Sequence, residues 1–242
     1  MAELITIEQS ILRKNADLAA ENRAEIERRG AFALGLVSAP GSGKTTLLEL
    51  TLNALRGRVR AAVIEGDVQT DRDARRIAAL DVPVVQIVTN GTCHLEARMV
   101  REALDRLTPD VDILFIENVG NLVCPASYDL GEHRRVVLTS TPEGDDKPLK
   151  YPAMFRNADA LIINKVDLLP YVDYDVAQAK AFARQIRPGL ATFEVSCVSG
   201  FGIGAWIGWL LEQRRRTLSR FGAGAPRSED RPPAAIPAAS SS

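Results

Sequence analysis

Cysteine, histidine and net charge are all scarce in this chain, and each scarcity closes off a class of function. Three cysteines among 242 residues are too few for a disulfide framework. A net charge of −1 calls for neither nucleic acid nor an anionic membrane as partner. No apolar run approaches the ~18 residues of a membrane span, and the N-terminus lacks a signal pattern, so a soluble, reducing, cytoplasmic setting is expected. What is present, 46% hydrophobic and 25% charged residues, can bury a full core as a single α/β domain with length left over for tails.

The chain is organised around Val37 to Leu47, V-S-A-P-G-S-G-K-T-T-L. An apolar run, Ala33 to Val37, precedes it as a buried strand, and Thr45-Thr46-Leu47-Leu48 opens a helix after it. Strand, glycine turn and helix in that order make a phosphate loop. Gly41 and Gly43 let the backbone turn its N–H groups inward, with Ser42 between them and Thr46 just beyond. Lys44 reaches the β- and γ-phosphates, Thr45 offers its hydroxyl to Mg²⁺, and the helix N-terminus adds partial positive charge. Ser38 stands where a first glycine is usual, and a short residue is tolerable there.

Residues 1–30 read as a helical arm ending at Gly30, most simply a solvated helix laid over part of the sheet. From Ala31 strands and helices alternate, which predicts a P-loop NTPase fold, an α/β domain over 31–220 with a mostly parallel sheet and helices on both faces. Strands are expected near 32–38, 59–65, 83–88, 111–117, 134–139, 159–163 and 191–195, and helices near 44–56, 71–80, 93–107, 150–157, 172–187 and 203–218. The Pro/Ala/Ser-rich stretch 221–242 is expected to be a disordered tail. Ligands in such folds sit beyond the carboxyl ends of the strands.

At those ends, Ile64-Glu65-Gly66-Asp67 places Asp67 where it can approach Mg²⁺, with Asp71 and Asp73 read as caps of the next helix. Ile116-Glu117-Asn118-Val119-Gly120 resembles the D-x-x-G element of GTPases with Glu117 for the aspartate, and the Gly120 N–H can touch the γ-phosphate. Asn164-Lys165-Val166-Asp167 is the N-K-x-D of GTP-binding proteins. Asp167 can accept from both N1–H and the exocyclic amine of guanine, a pairing adenine does not offer. Asn164 braces that loop and the Lys165 stem covers the base, while Ser196 and Cys197, after the last strand, bring a backbone N–H toward guanine O6.

A second constellation holds Thr92-Cys93-His94 and Cys124. With Thr92 as N-cap, Cys93 falls in the first turn of a helix, where the dipole favours a thiolate. Neighbours on a helix point about 100° apart, so Cys93 and His94 alone chelate poorly, whereas two copies across a twofold axis supply two thiolates and two imidazoles. Cys124 can swing toward the same metal. A small buried thiol and a capping histidine remain an open alternative at this point, as does a protease-like arrangement.

Over roughly the stretch 15–215 the chain resembles the HypB GTPases. The residues that carry the resemblance are Asn22-Arg23, the phosphate loop, I-E-G-D at 64–67, C-H-L at 93–95, E-N-V-G-N-L-V-C-P at 117–125 and E-G-D-D-K-P-L-K-Y-P at 143–152. The resemblance implies a GTP-dependent homodimer whose interface binds Ni²⁺ or Zn²⁺ through Cys93 and His94, with Cys124 contributing. It implies nickel transfer toward a [NiFe] hydrogenase large-subunit precursor with a partner metallochaperone. Residues 1–30 contain neither Cys nor His, so a nickel-storage run is not expected. The expected cycle is slow hydrolysis of GTP to GDP, with Lys44, Asp67 and Glu117 as the catalytic set and Thr45, Asp67 and Glu117 on Mg²⁺. A urease-accessory GTPase, a metabolite kinase and a non-enzymatic metal binder are the alternatives.

Overall fold

The computed structural model describes residues 7–69, 71–107 and 110–220. The stretch 221–242, read above as a tail, lies outside them.

Seven strands, β1 (Phe32–Ser38), β2 (Ala61–Asp67), β3 (Val84–Val88), β4 (Ile113–Glu117), β5 (Arg134–Ser140), β6 (Ala160–Asn164) and β7 (Ala191–Glu194), form one parallel sheet ordered β3-β2-β4-β1-β5-β6-β7. Every predicted strand is present, and the sheet is parallel throughout. β1 lies at its centre and all seven of its residues are buried. Successive side chains alternate between faces. Phe32, Leu34 and Leu36 pack with Leu47, Leu48, Trp206 and Ile207 of helices α2 (Lys44–Leu55) and α8 (Ile203–Arg220). Ala33 joins the opposite face with Ile26 of α1 (Ile7–Arg28) and Val100 of α4 (Ala97–Leu104). α3 (Arg72–Ala78) follows β2. The sequence around Tyr151 makes two short helices, α5 (Lys147–Lys150) and α6 (Pro152–Arg156), before α7 (Val176–Ile186). Pro152 ends the first and, at an N-terminal position that needs no donor, starts the second.

α1 ends as expected. Gly30 adopts φ +71°, its N–H donates to Glu27 O, and the Ala31 N–H donates to Ile26 O, the paired bonds of a Schellman cap. The arm is more than a solvated cover. Asn22 is fully buried and its amide donates to Ala97 O and Leu130 O at 2.8 and 3.1 Å. Asn15 donates to Asp129 O and accepts from the Ala97 N–H, so α1 supplies the cap of α4. Arg23 pairs with Asp129 at 2.9 Å. α1 therefore fastens the chain on both sides of the cysteine loops. Near the end of α8, Arg214 packs against Asp112 at 3.6 Å.

Candidate nucleotide and metal site

The phosphate loop leaves β1 at the centre of the sheet, flanked by the ends of β4 and β5. Gly43 has φ +93°, and a Cβ there would stand 2.5 Å from the Asn164 amide, so only glycine fits. A cavity of about 420 Å³ opens over the loop, lined by Gly41 to Thr46 together with Asp67 and Gly120. Eight of the nine phosphate-side residues expected from sequence thus share one cavity wall; the ninth, Glu117, is buried next to Thr45 and does not line it.

The Thr45 hydroxyl donates to Glu117 Oε1 at 2.9 Å, and Lys44 Nζ stands 3.7 Å from the same oxygen. Glu117 Oε2 is buried with no partner. Burial pushes the Glu117 carboxyl up, against the pull of Lys44 and Thr45. Parallel register sets Glu65 of β2 directly beside Glu117 of β4. Burial, then the charges of Glu117, Asp67 and Asp73, push Glu65 up to about 8. Glu65, Asp67 and Asp73 bring carboxylate oxygens within 4.8 Å of one another, and Glu65 Oε2 is a second buried oxygen without a partner. Crowded carboxylates with unsatisfied oxygens beside a threonine hydroxyl fit a hard divalent cation such as Mg²⁺.

Two expectations are corrected here. Asp71, at the α3 N-cap position, makes no capping bond and pairs instead with Arg75 at 2.7 Å. Asp73 points into the acidic cluster and pairs with Arg76 at 3.2 Å. Sequence reading missed Glu65, Asp73 and Arg76 as neighbours of the phosphate site, because register and helix phase bring them together. It also missed Glu143, whose Oε1 accepts from Ser42 and Ser140 at 2.6 and 2.7 Å and so locks the phosphate loop to the end of β5.

On the base side, Asn164 Nδ2 donates to Ser42 O at 2.9 Å, and its Oδ1 is buried without a partner. Lys165 takes the left-handed conformation, φ +61°, and its Nζ reaches Gly41 O of the phosphate loop at 2.7 Å. Asp167 is exposed, and neither it nor Lys165 lines the phosphate cavity. The following turn is held by Ser196 N–H to Phe201 O, and burial pushes the Cys197 thiol up to about 11.

The cysteine constellation differs from its expected form. α4 begins at Ala97, so Thr92 is no N-cap, and Cys93 and His94 lie in the bend before the helix. Cys93 therefore gains nothing from a helix dipole; its thiol is pushed up by the hydrogen bond to Cys124 and by burial. Freed from helical geometry, the two neighbours converge. Cys93 Sγ lies 2.9 Å from Cys124 Sγ and 3.8 Å from His94 Nδ1, and the donor atoms of all three lie within 4.8 Å of one another. One chain thus brings three donors together, and Cys124, expected to swing toward the metal of Cys93 and His94, already lies against Cys93. Burial pushes His94 down, toward the neutral imidazole a metal requires, and its ring packs on Tyr128 at 4.0 Å. Thiolates around a tetrahedral ion stand about 3.8 Å apart, so the cysteines would part by about 1 Å to grip one.

The loop after β4 carries both Glu117 and Cys124, and it is bonded to the loop after β3 that carries Cys93 and His94. Asn118, next to Glu117, is buried and its Oδ1 accepts from the Leu95 N–H at 3.0 Å. Asn121 donates to Cys93 O at 3.3 Å. Leu95 packs on Gly66, where a Cβ would stand 2.7 Å from it, and Gly120 abuts Pro40 of the phosphate loop.

Among known proteins, residues 32–194 match the model of the CobW/HypB/UreG nucleotide-binding domain. The chain is 53% identical over 218 residues to the hydrogenase maturation factor HypB of Azotobacter vinelandii, covering 90% of this chain and 72% of that one. It is 43% identical over 216 residues to the hydrogenase/urease maturation factor HypB of Helicobacter pylori, covering 87% and 88%. A crystal structure of HypB from Helicobacter pylori in complex with nickel superposes with a TM-score of 0.81, covering 85% of this chain and 97% of that chain. Sequence, fold and family model agree, and the chain belongs to the HypB family of hydrogenase maturation factors.

Proposed function

We propose that this protein is a GTP-hydrolysing nickel metallochaperone of hydrogenase maturation. The observation that carries the reading is the joining of two sites by shared loops: Glu117 at the phosphates and Cys124 at the thiols lie seven residues apart on one loop, bridged to Cys93 and His94 through Asn118 and Asn121. Lys44 binds the β- and γ-phosphates, the Gly120 N–H meets the γ-phosphate, and Asp167 with Asn164 selects guanine. Thr45, Asp67 and Glu117 are the residues that hold Mg²⁺, whose charge offsets that of the phosphates. The motifs name no residue that orients the attacking water, and slow intrinsic turnover is part of this reading.

Cys93, His94 and Cys124 take Ni²⁺ as cargo, with Zn²⁺ as the competing ion. The three donors leave a fourth position for a second copy of the chain. The triphosphate state draws the loops after β2 and β4 inward, favours the homodimer and completes the metal site; hydrolysis relaxes them and releases nickel to the hydrogenase large-subunit precursor with the help of a partner metallochaperone. Among the described residues no helix is long and apolar enough to cross a membrane, in keeping with a cytoplasmic factor.

Two substitutions test the halves separately. Cys93→Ala should abolish stoichiometric nickel binding and leave GTP affinity nearly unchanged; wild-type nickel stoichiometry in that variant removes the metal assignment. Asp167→Asn should weaken GTP binding at least about tenfold, since it replaces a charged acceptor, and unchanged affinity refutes the guanine contact.

A further inference from the structure

Two cationic side chains line the phosphate cavity among the described residues, Lys44 and Arg76. Lys44 belongs to the phosphate loop. Arg76 projects from α3, the helix that follows β2, and belongs to neither the phosphate loop nor the guanine motif.

Its guanidinium lies against the first turn of the phosphate helix. Nε and Nη2 donate to the Glu49 carboxylate at 2.9 and 2.6 Å, Nη1 donates to Asp73 at 3.2 Å, and Nη2 also donates to the Thr46 hydroxyl at 3.2 Å. Thr46 is two residues beyond Lys44, so the charge waits at the edge of the phosphate cradle. Of these partners Asp73 holds it lightly: the side chains of Arg76 and Asp73 are 40% and 36% exposed, and an ion pair so open to water contributes at most about 1 kcal/mol. Glu49 grips the other edge of the fork through both Nε and Nη2. Asp73 also belongs to the acidic cluster with Glu65 and Asp67. An Asp73 carboxylate turned toward a divalent cation no longer faces Nη1, and that N–H edge of the guanidinium, still aimed by Glu49, is then open to a phosphate oxygen. A planar fork of N–H donors matches phosphate oxygens better than an ammonium does.

We propose that Arg76 is the second positive charge of the phosphate site: with nucleotide bound, its guanidinium leaves Asp73 and contacts the terminal phosphate oxygens, so that the protein tells triphosphate from diphosphate. The contact is made in cis by α3, which follows β2, whose Gly66 packs on Leu95 of the C-H-L loop. This inference rests on the guanine-nucleotide reading above. The competing role for Arg76 is a tether between α2 and α3 through Glu49.

The two roles separate in a pair of variants measured by equilibrium binding of GDP and of a non-hydrolysable GTP analogue, together with single-turnover GTP hydrolysis. Arg76→Gln should lose about tenfold or more in analogue affinity, change GDP affinity by less than about twofold, and hydrolyse more slowly. Glu49→Gln removes the same tether but leaves the guanidinium, and should bind the analogue at least as tightly as wild type. Arg76→Lys should recover part of the loss. Unchanged analogue affinity in Arg76→Gln overturns the inference, and so does parallel weakening of both nucleotides in Arg76→Gln and Glu49→Gln, which identifies a tether. If wild type binds neither guanine nucleotide, the underlying functional reading fails, and this inference falls with it.

Discussion

His133 illustrates how much a single buried group can fix. Its Nδ1 accepts from the Ala33 N–H at 2.9 Å, its ring stacks on Phe32 at 5.5 Å, and burial beside Arg23 and Arg134 pushes its pKa from 6.5 down to about 4, against the pull of the Glu27 carboxylate 3.4 Å from Nε2. Between those values the unfolded chain binds the additional proton, so folding stability falls as pH drops from 6.5 toward 4 and is insensitive to this group above that window. The full loss approaches about 3 kcal/mol. His133→Gln should flatten that part of the stability curve in urea unfolding at pH 7, 6, 5 and 4; a variant whose curve parallels wild type would show that His133 is not the proton acceptor. The same scale explains which site residues could be read from sequence. Lys44, Thr45, Asn164 and Asp167 sit in contiguous motifs whose spacing is itself the geometry. Glu65 and Arg76 do not: Glu65 meets Glu117 only through strand register, and Arg76 meets Glu49 only through the packing of two helices.

At the level of elements, the strands were legible because each is a short apolar run that the sheet buries, and β1 places the phosphate loop. Helix starts were less so. Thr92 looks like an N-cap, yet the cap of α4 comes from Asn15, more than eighty residues away, and local sequence carries no trace of that bond. The consequence is chemical, because a helix begun at Cys93 would have splayed the thiol and imidazole that the bend brings together. The Asn22-Arg23 pair, part of the family resemblance, acquires a physical reason as well: Asn22 ties α1 to both Ala97 and Leu130. Asn22→Ala should cost about 2 kcal/mol by leaving buried carbonyls unpaired, and should weaken nickel binding although no ligand is removed. Thermal melts and nickel titration of that variant check both parts, and unaltered nickel affinity with lowered stability would restrict α1 to a scaffolding role.

For the whole molecule, the proposed coupling of nucleotide and nickel runs through the loop after β4, which carries Glu117 and Cys124, and the loops packed on it. The contacts form a continuous chain from Pro40 through Gly120 and Asn118 to Leu95, and from Asp67 through Gly66 to the same leucine. Gly66→Ala would drive a Cβ to within 3 Å of Leu95 and should therefore loosen the coupling of the two sites while leaving each set of ligands intact. The most direct measurement is a nickel titration of the wild-type protein loaded with GDP and, separately, with a non-hydrolysable GTP analogue, read together with native mass in each state. The account predicts nickel affinity at least about fivefold tighter with the analogue, accompanied by a dimer mass. Equal nickel affinities and the same distribution of masses in the two nucleotide states would contradict it.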